Sequence, residues 1–232
     1  MMSMETRVVC KTEKFEWIDI VNPKKTELEK IALQYGLPAT SVQDCLDPEH
    51  LPKFEKIGDV YFLILRAFDE AAPSKGDSIQ ELTRKIAVFY TDRFMLTVHR
   101  KDQPFLSNLI EVWKNQNSTV ESPQYILLPE LIKGVISTFE KPIDAAFSEL
   151  EDLEVAAFGI LAAKPFRIKK AYFFKRKTFV IKLIIRLLSD VISRLNSSVG
   201  LQNVNPTLTS RFQDLKENMH MHLTGVEASG RI

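Results

Sequence analysis

The sequence predicts an α+β fold: a layered α/β/α domain on a mixed, largely antiparallel sheet, then long antiparallel helices and the start of a stalk helix. Three observations carry this. Turn signals at Gly58-Asp59 and Thr91-Asp92-Arg93 join apolar runs into hairpins. A helical pattern lies between strand-like runs in the first hundred residues, so helices cover a sheet that is not a series of βαβ units. From Gln103 onward the pattern is helical almost throughout.

Residues 7–10 and 15–20 read as strands. Asn22-Pro23 reads as an N-cap followed by proline at the first helical position. Leu28, Ile31, Ala32 and Tyr35 follow at helical spacing, and Gly36 ends that helix. A short helix is expected over 40–46, stopped by Pro48 and Pro52. Residues 54–68 read as a hairpin whose second strand is too apolar to be wetted on either face. A loop rich in Pro, Ser, Gly and Asp precedes strands 82–90 and 94–99. Leu106, Leu109, Ile110 and Trp113 mark an amphipathic helix. Residues 124–160 read as one helix about 55 Å long, with Pro129 in its first turn and Pro142 placed to kink it. A second long helix is expected over 166–197. A third, capped by Asn205-Pro206, carries Phe212, Leu215, Met219, His222 and Val226 at heptad-like spacing. The expected divisions are 1–120 for the sheet domain, 121–204 for the two long helices and 205–232 for the stalk.

The chain has 232 residues, 45% hydrophobic, with 31 Lys+Arg against 30 Asp+Glu. That balance excludes disorder and gives no global basic excess of the kind nucleic-acid binders show. No 20-residue apolar run is present. The best candidate, 179–192, is interrupted every four residues by Lys182, Arg186 and Asp190. There is no apolar leader, and two cysteines make no disulfide framework. The near-neutral total hides polarity. Glu140, Asp144, Glu149, Glu151, Asp152 and Glu154 share one helix. Lys164, Arg167, Lys169, Lys170, Lys175, Arg176, Lys177, Lys182 and Arg186 follow in the next. Two readings fit this pattern: two antiparallel helices with complementary flanks, or one or both helices facing a ligand.

Catalytic signatures are missing. There is no glycine-rich phosphate loop, Gly-x-Ser-x-Gly elbow, His-Glu-x-x-His or Cys-x-x-Cys, and no enzyme is expected. His220 and His222 are two apart on a helix and do not face each other. Cys45, Asp47, Glu49 and His50 are a conceivable soft-metal set, although a loop cysteine beside acids is usually idle.

A more specific pattern runs through the chain. Phe15-Glu16-Trp17-Ile18-Asp19-Ile20-Val21-Asn22-Pro23 precedes Leu28-Glu29-Lys30-Ile31-Ala32. Tyr35-Gly36-Leu37, Asp44, Pro52-Lys53-Phe54-Glu55 and Tyr61-Phe62-Leu63-Ile64-Leu65 follow. Later come Tyr172-Phe173-Phe174-Lys175-Arg176 and Arg211-Phe212-Gln213-Asp214. In this order they resemble the cytoplasmic domain of the CorA family of divalent-cation transporters, over residues 15–232. The family's two membrane spans and Gly-Met-Asn motif lie beyond the stalk. Ile232 is expected in mid-helix, so the chain reads as the soluble portion of a longer protein; the other reading is a relative without a pore.

The resemblance implies a homopentamer at the cytoplasmic face of the cell (inner) membrane, attached through segments outside this sequence. It also implies a regulatory Mg²⁺ site between subunits, one carboxylate from the short helix and one from the stalk. Those positions match Asp44 and Asp214. Co²⁺, Ni²⁺ and Zn²⁺ are the other ions considered there. A second site found in some members is in doubt, because its positions match Gln43 and Lys133. Two alternatives remain: a ZntB-type zinc transporter domain, and a nucleic-acid-binding or scaffold protein using the aromatic and basic residues 172–177. The family reading involves no nucleic acid.

Overall fold

The computed structural model describes residues 4–115, 123–158 and 168–198, together with 210, 213, 214, 217, 220 and 224. Six strands are formed: β1 (Glu5–Lys11), β2 (Glu16–Val21), β3 (Lys53–Ile57), β4 (Val60–Phe68), β5 (Thr83–Tyr90) and β6 (Phe94–His99). They make one sheet in the order β1-β2-β6-β5-β4-β3, antiparallel except for the parallel pair β2–β6. The expected α+β layering is therefore present. Both hairpin turns fall where the sequence places them, with Gly58 at φ +60°.

Helices α1 (Lys25–Tyr35) and α2 (Ala39–Leu46) cover one face. Leu28, Ala32, Leu37, Val42 and Cys45 pack there on Phe62, Ile64, Ala87, Phe89, Leu96 and Val98. The opposite face meets α4 (Pro104–Asn115), α5 (Gln124–Ser137) and α7 (Ile168–Ser198). Leu63, Leu65 and Ala67 alternate with Phe62 and Ile64, so β4 buries side chains on both faces. This explains its continuous apolar run.

Three elements differ from expectation. The first helix is capped at Lys24, not Asn22. The Asn22 amide donates to the His99 carbonyl at 2.7 Å, continuing the β2–β6 ladder, so sheet pairing overrides the local cap signal. Asn22 instead takes a left-handed conformation, φ +50°. In the loop before β5, one turn of helix, α3 (Ile79–Leu82), is closed by a capping box. There the Ser78 hydroxyl accepts from the Glu81 amide and donates to its carboxylate.

Third, the long helix expected over 124–160 is broken into α5 and α6 (Glu140–Phe158). The break precedes Pro142, which lies in the first turn of α6, while Pro129 lies inside α5 rather than in its first turn. Pro142 has no N–H to bond the Thr138 carbonyl, so the α5 ladder ends there. Tertiary contacts hold the break. Thr138 Oγ1 donates to Val135 O and accepts from the Phe68 amide, and buried Phe139 packs edge-on against Phe68.

Helices α6 and α7 meet through Ala146, Leu150 and Leu153 on Ala171 and Phe174. Asp152 and Lys170 lie 3.6 Å apart. Ser210, Gln213, Asp214, Glu217, His220 and Thr224 are helical and exposed. The stripe expected at Phe212, Leu215, Met219, His222 and Val226 lies outside the described residues. No helix among the described residues is long and apolar enough to cross a membrane.

Candidate functional site

Asp44 stands in the last turn of α2. That helix buries Ser41, Val42 and Cys45 and leaves Gln43 exposed and Asp44 half-buried. Its last carbonyls need partners, and cations suit a helix C-terminus. The Lys85 ammonium donates to the Asp44 carbonyl at 2.6 Å and to the Asp47 carbonyl. Arg100 donates to Leu46 O at 3.0 Å. Arg66, fully buried, donates to the carbonyls of Pro48 and His50 and to Thr83 Oγ1. Three cations, on β4, on β5 and just past β6, thus hold the backbone of 44–50, so the Asp44 side chain projects from a fixed base.

The Asp44 carboxylate receives Lys53 Nζ from β3 at 2.5 Å and lies 3.5 Å from His50 Nε2. Lys53 also meets Glu55 at 3.1 Å. Burial works against the Lys53 charge, but the hydrogen bonds to Asp44 and Glu55 outweigh it and raise its pKa. Asp214 is exposed, and beside it Gln213 donates to Glu217 at 2.8 Å. Among the described residues, no hydrogen bond or ion pair joins Asp44 to Asp214. Lys133 is exposed on α5.

The soft-metal set does not assemble. Cys45 is buried in the α1/α2 core, and burial pushes its thiol up to about 12, far from the thiolate a metal needs. Glu49 accepts from Gln80, and His50 Nδ1 faces Leu51 O. Nor is the aromatic and basic helix a free cationic strip. Lys177 lies over the Phe68 ring, Arg176 donates to Asp77 O, and Lys170 meets Asp152.

A polar cluster that the sequence reading does not anticipate lies on the α4 side of the sheet. Asp19 and Thr97 are register partners across β2–β6. Thr97 accepts from Trp17 Nε1 at 3.1 Å and donates to Asp19 Oδ1 at 2.6 Å. His99 presents Nε2 to Asp19 Oδ1 at 3.0 Å and Nδ1 to the Lys101 carbonyl at 2.9 Å. Both partners accept, so the ring satisfies both by carrying two protons. Burial opposes that charge, but the Asp19 hydrogen bond and charge prevail and raise the His99 pKa.

Asp19, His99 and Asp102 bring three donor atoms together. However, Arg7 reaches Asp102 at 2.8 Å and lies 3.7 Å from Asp19 Oδ2. Its guanidinium stands where a metal would, and its hydrogen bond holds the Asp102 carboxyl below the usual range. The sequence signal was an acid amid apolar strand residues, Ile18-Asp19-Ile20.

The profile of the CorA-like Mg²⁺ transporter protein family matches residues 12–228. The chain belongs to this family. Its sequence is 24% identical over 140 residues to the cobalt/magnesium transport protein CorA of Methanocaldococcus jannaschii. That alignment covers 60% of this chain and 42% of that protein, so the chain spans less than half the relative's length. The fold is similar to the soluble domain of CorA from the same organism, with a TM-score of 0.74 and 18% identity, covering 98% of this chain and 92% of that one. It is also similar to the ZntB cytoplasmic domain from Vibrio parahaemolyticus, with a TM-score of 0.66 and 16% identity, covering 94% and 86%.

Proposed function

We propose that this chain is the cytoplasmic metal-sensing domain of a CorA-like magnesium and cobalt transporter, and that Mg²⁺ bridges Asp44 of one copy and Asp214 of the next. The observation that carries the reading is the setting of Asp44: a carboxylate on a helix end whose backbone is clamped by Lys85, Arg100 and Arg66. Asp214, exposed on a helix, supplies the second acid. Two carboxylates are the hard oxygen donors Mg²⁺ takes while keeping most of its waters. Such a site is weak, as sensing an abundant ion requires.

The chemistry is charge neutralisation. With the ion in place the two carboxylates face a cation; without it they face each other. Two like charges about 4 Å apart repel by about 4 kcal/mol at an effective dielectric near 20. Repeated around a homopentamer, this term separates a closed from an open arrangement. In the full-length protein the domain sits at the cytoplasmic face of the inner membrane, and the transported ion is substrate. The fold likeness to ZntB keeps Zn²⁺ as a second candidate cargo. Uptake measured with Mg²⁺, Co²⁺, Ni²⁺ and Zn²⁺ decides between them.

The test of the sensor is sedimentation velocity and thermal melting of the chain in MgCl₂ against NaCl of matched ionic strength. Mg²⁺ is expected to raise both association and melting temperature in the wild type but not in Asp44→Asn or Asp214→Asn. Variants that respond as the wild type does would overturn the bridge.

A further inference from the structure

One end of the sheet, on the α1/α2 face, carries a cavity of about 270 Å³. Arg66, Arg84, Lys85, Arg100 and Lys101 line it, and no carboxylate does. Strand register puts the cations there. Arg66 on β4 is the direct partner of Lys85 on β5, and Arg100 follows the last residue of β6. Like charges directly opposite across a sheet repel. Residues 62 and 64 on β4, and 87 and 89 on β5, point into the α1/α2 core; the same alternation brings 66 and 85 to this face where the helices end.

Bracing of the 44–50 backbone does not account for all five cations. Arg66 and Lys85 serve it directly, and Arg100 makes one bond to Leu46 O. Arg84 is tied through one terminal nitrogen to Asp69 and through the other to Gln80 O. Its Nε is buried without a hydrogen-bond partner. Among the described residues, Arg66, Lys85, Arg100 and Lys101 make no ion pair with a carboxylate. The cost of crowding appears in the charges themselves. Burial first, and Arg84 after it, pull Arg66 down to about 10 against the pull of Asp47 and Glu49; burial first, then Arg66 and Arg100, pull Lys85 down to about 8 against Asp47.

We propose that this cavity binds a small phosphorylated molecule, its phosphate held among Lys85, Arg100 and Lys101. A polyvalent anion is the occupant that offsets Lys85, Arg100 and Lys101 at once, and a guanidinium matches phosphate geometry. The apolar part of the lining, Leu46 and Val98 among it, suits an organic group attached to the phosphate. At about 270 Å³ the cavity lies just below the range that encloses drug-sized ligands, which fits a mononucleotide-sized molecule rather than a dinucleotide. The Asp44 carboxylate does not line the cavity, and the proposal stands apart from the Mg²⁺ reading.

The experiment is isothermal titration of the full chain, without divalent metal and at fixed ionic strength, with inorganic phosphate, pyrophosphate and AMP as probes. Amide shifts are followed by NMR. Saturable binding is expected, with shifts at Leu46, Lys85 and Arg100. Arg100→Gln/Lys101→Gln, exposed positions whose change spares the core, weakens it at least about tenfold. Lys175→Gln/Lys177→Gln on α7 leaves it unchanged. AMP binding more tightly than phosphate identifies an organic phosphate as occupant; equal affinity identifies free phosphate, the same chemistry. Absence of saturation up to millimolar probe, or equal loss in the α7 variant, overturns the site. Lys101→Glu alone, with an unchanged melting curve, provides a second variant that must also weaken binding.

Discussion

Lys53 is the natural competitor of any cation at Asp44, and removing it is the sharpest perturbation of the proposed sensor. Its ammonium lies 2.5 Å from Asp44 Oδ2, with the two side chains 20% and 25% exposed. The pair is neither fully buried nor free, and Lys53 is shared with Glu55. Exposed pairs contribute about 0–1 kcal/mol after screening; a half-buried, charge-assisted contact reaches about 1–2 kcal/mol. An ion arriving at Asp44 has to displace that contact. In Lys53→Met it does not, and a positive charge beside the metal is also gone. Mg²⁺ affinity should therefore rise about 5- to 30-fold. Methionine keeps an apolar stem near the Phe62 ring, over which Lys53 now lies. The assay is the Mg²⁺ midpoint of the melting or association response. Glu55→Gln, which leaves Lys53 wholly to Asp44, should move the midpoint slightly the other way. An unchanged or weaker midpoint in Lys53→Met would refute the competition and with it the assignment of Asp44 as a ligand.

The remaining predictions concern the fold around the site. His99 has a raised pKa in the folded chain, so its contribution is complete below 6.5 and lost as pH climbs through the folded value. Arg7, Asp19 and Asp102 face it. Urea melts across that window should show falling stability in the wild type and a flat response in His99→Gln. Lys85, lowered to about 8, acts in the opposite sense at higher pH, where stability should recover between about 8 and 10.4. Arg66→Met strands the Pro48 and His50 carbonyls. Stranded acceptors cost about 1–3 kcal/mol each, and relief of an unpaired buried charge returns part of that. Denaturant melts should register a net loss of about 2 kcal/mol, with faster hydrogen exchange over 46–50. At Gly134 an added Cβ would meet Phe105 at 2.5 Å. The clash, about 1–3 kcal/mol, exceeds the roughly 1 kcal/mol helix gain, so Gly134→Ala should lower the melting temperature.

Legibility in the sequence followed the range of the interaction. The hairpin at Gly58-Asp59, the glycine stop at Gly36 and the double-sided burial of 60–68 are local or periodic, and they appear as read. The α3 capping box was also local, Ser78 to Glu81, yet lay hidden among turn-forming residues. The cap at Lys24 and the break before Pro142 were decided by partners far away in sequence: His99 for the first, Phe68 for the second. The site divides the same way. Asp44 stands out through family resemblance and a helix-end position. Its companions Lys53, Lys85 and Arg100 do not, because a charged residue in or just past a strand carries no mark of the backbone it will meet.

By itself the sequence determined the α+β class, the strand pairs joined by tight turns, the absence of known catalytic motifs and the CorA-like pattern. These depend on residue type and short spacing. Only the tertiary structure decided that Arg66 stands opposite Lys85, that Arg7 fills the Asp19–His99–Asp102 cluster, and that Lys53 guards Asp44. Register between strands fixes those meetings, and register is set by packing of the whole sheet between its two helical layers rather than by any segment alone.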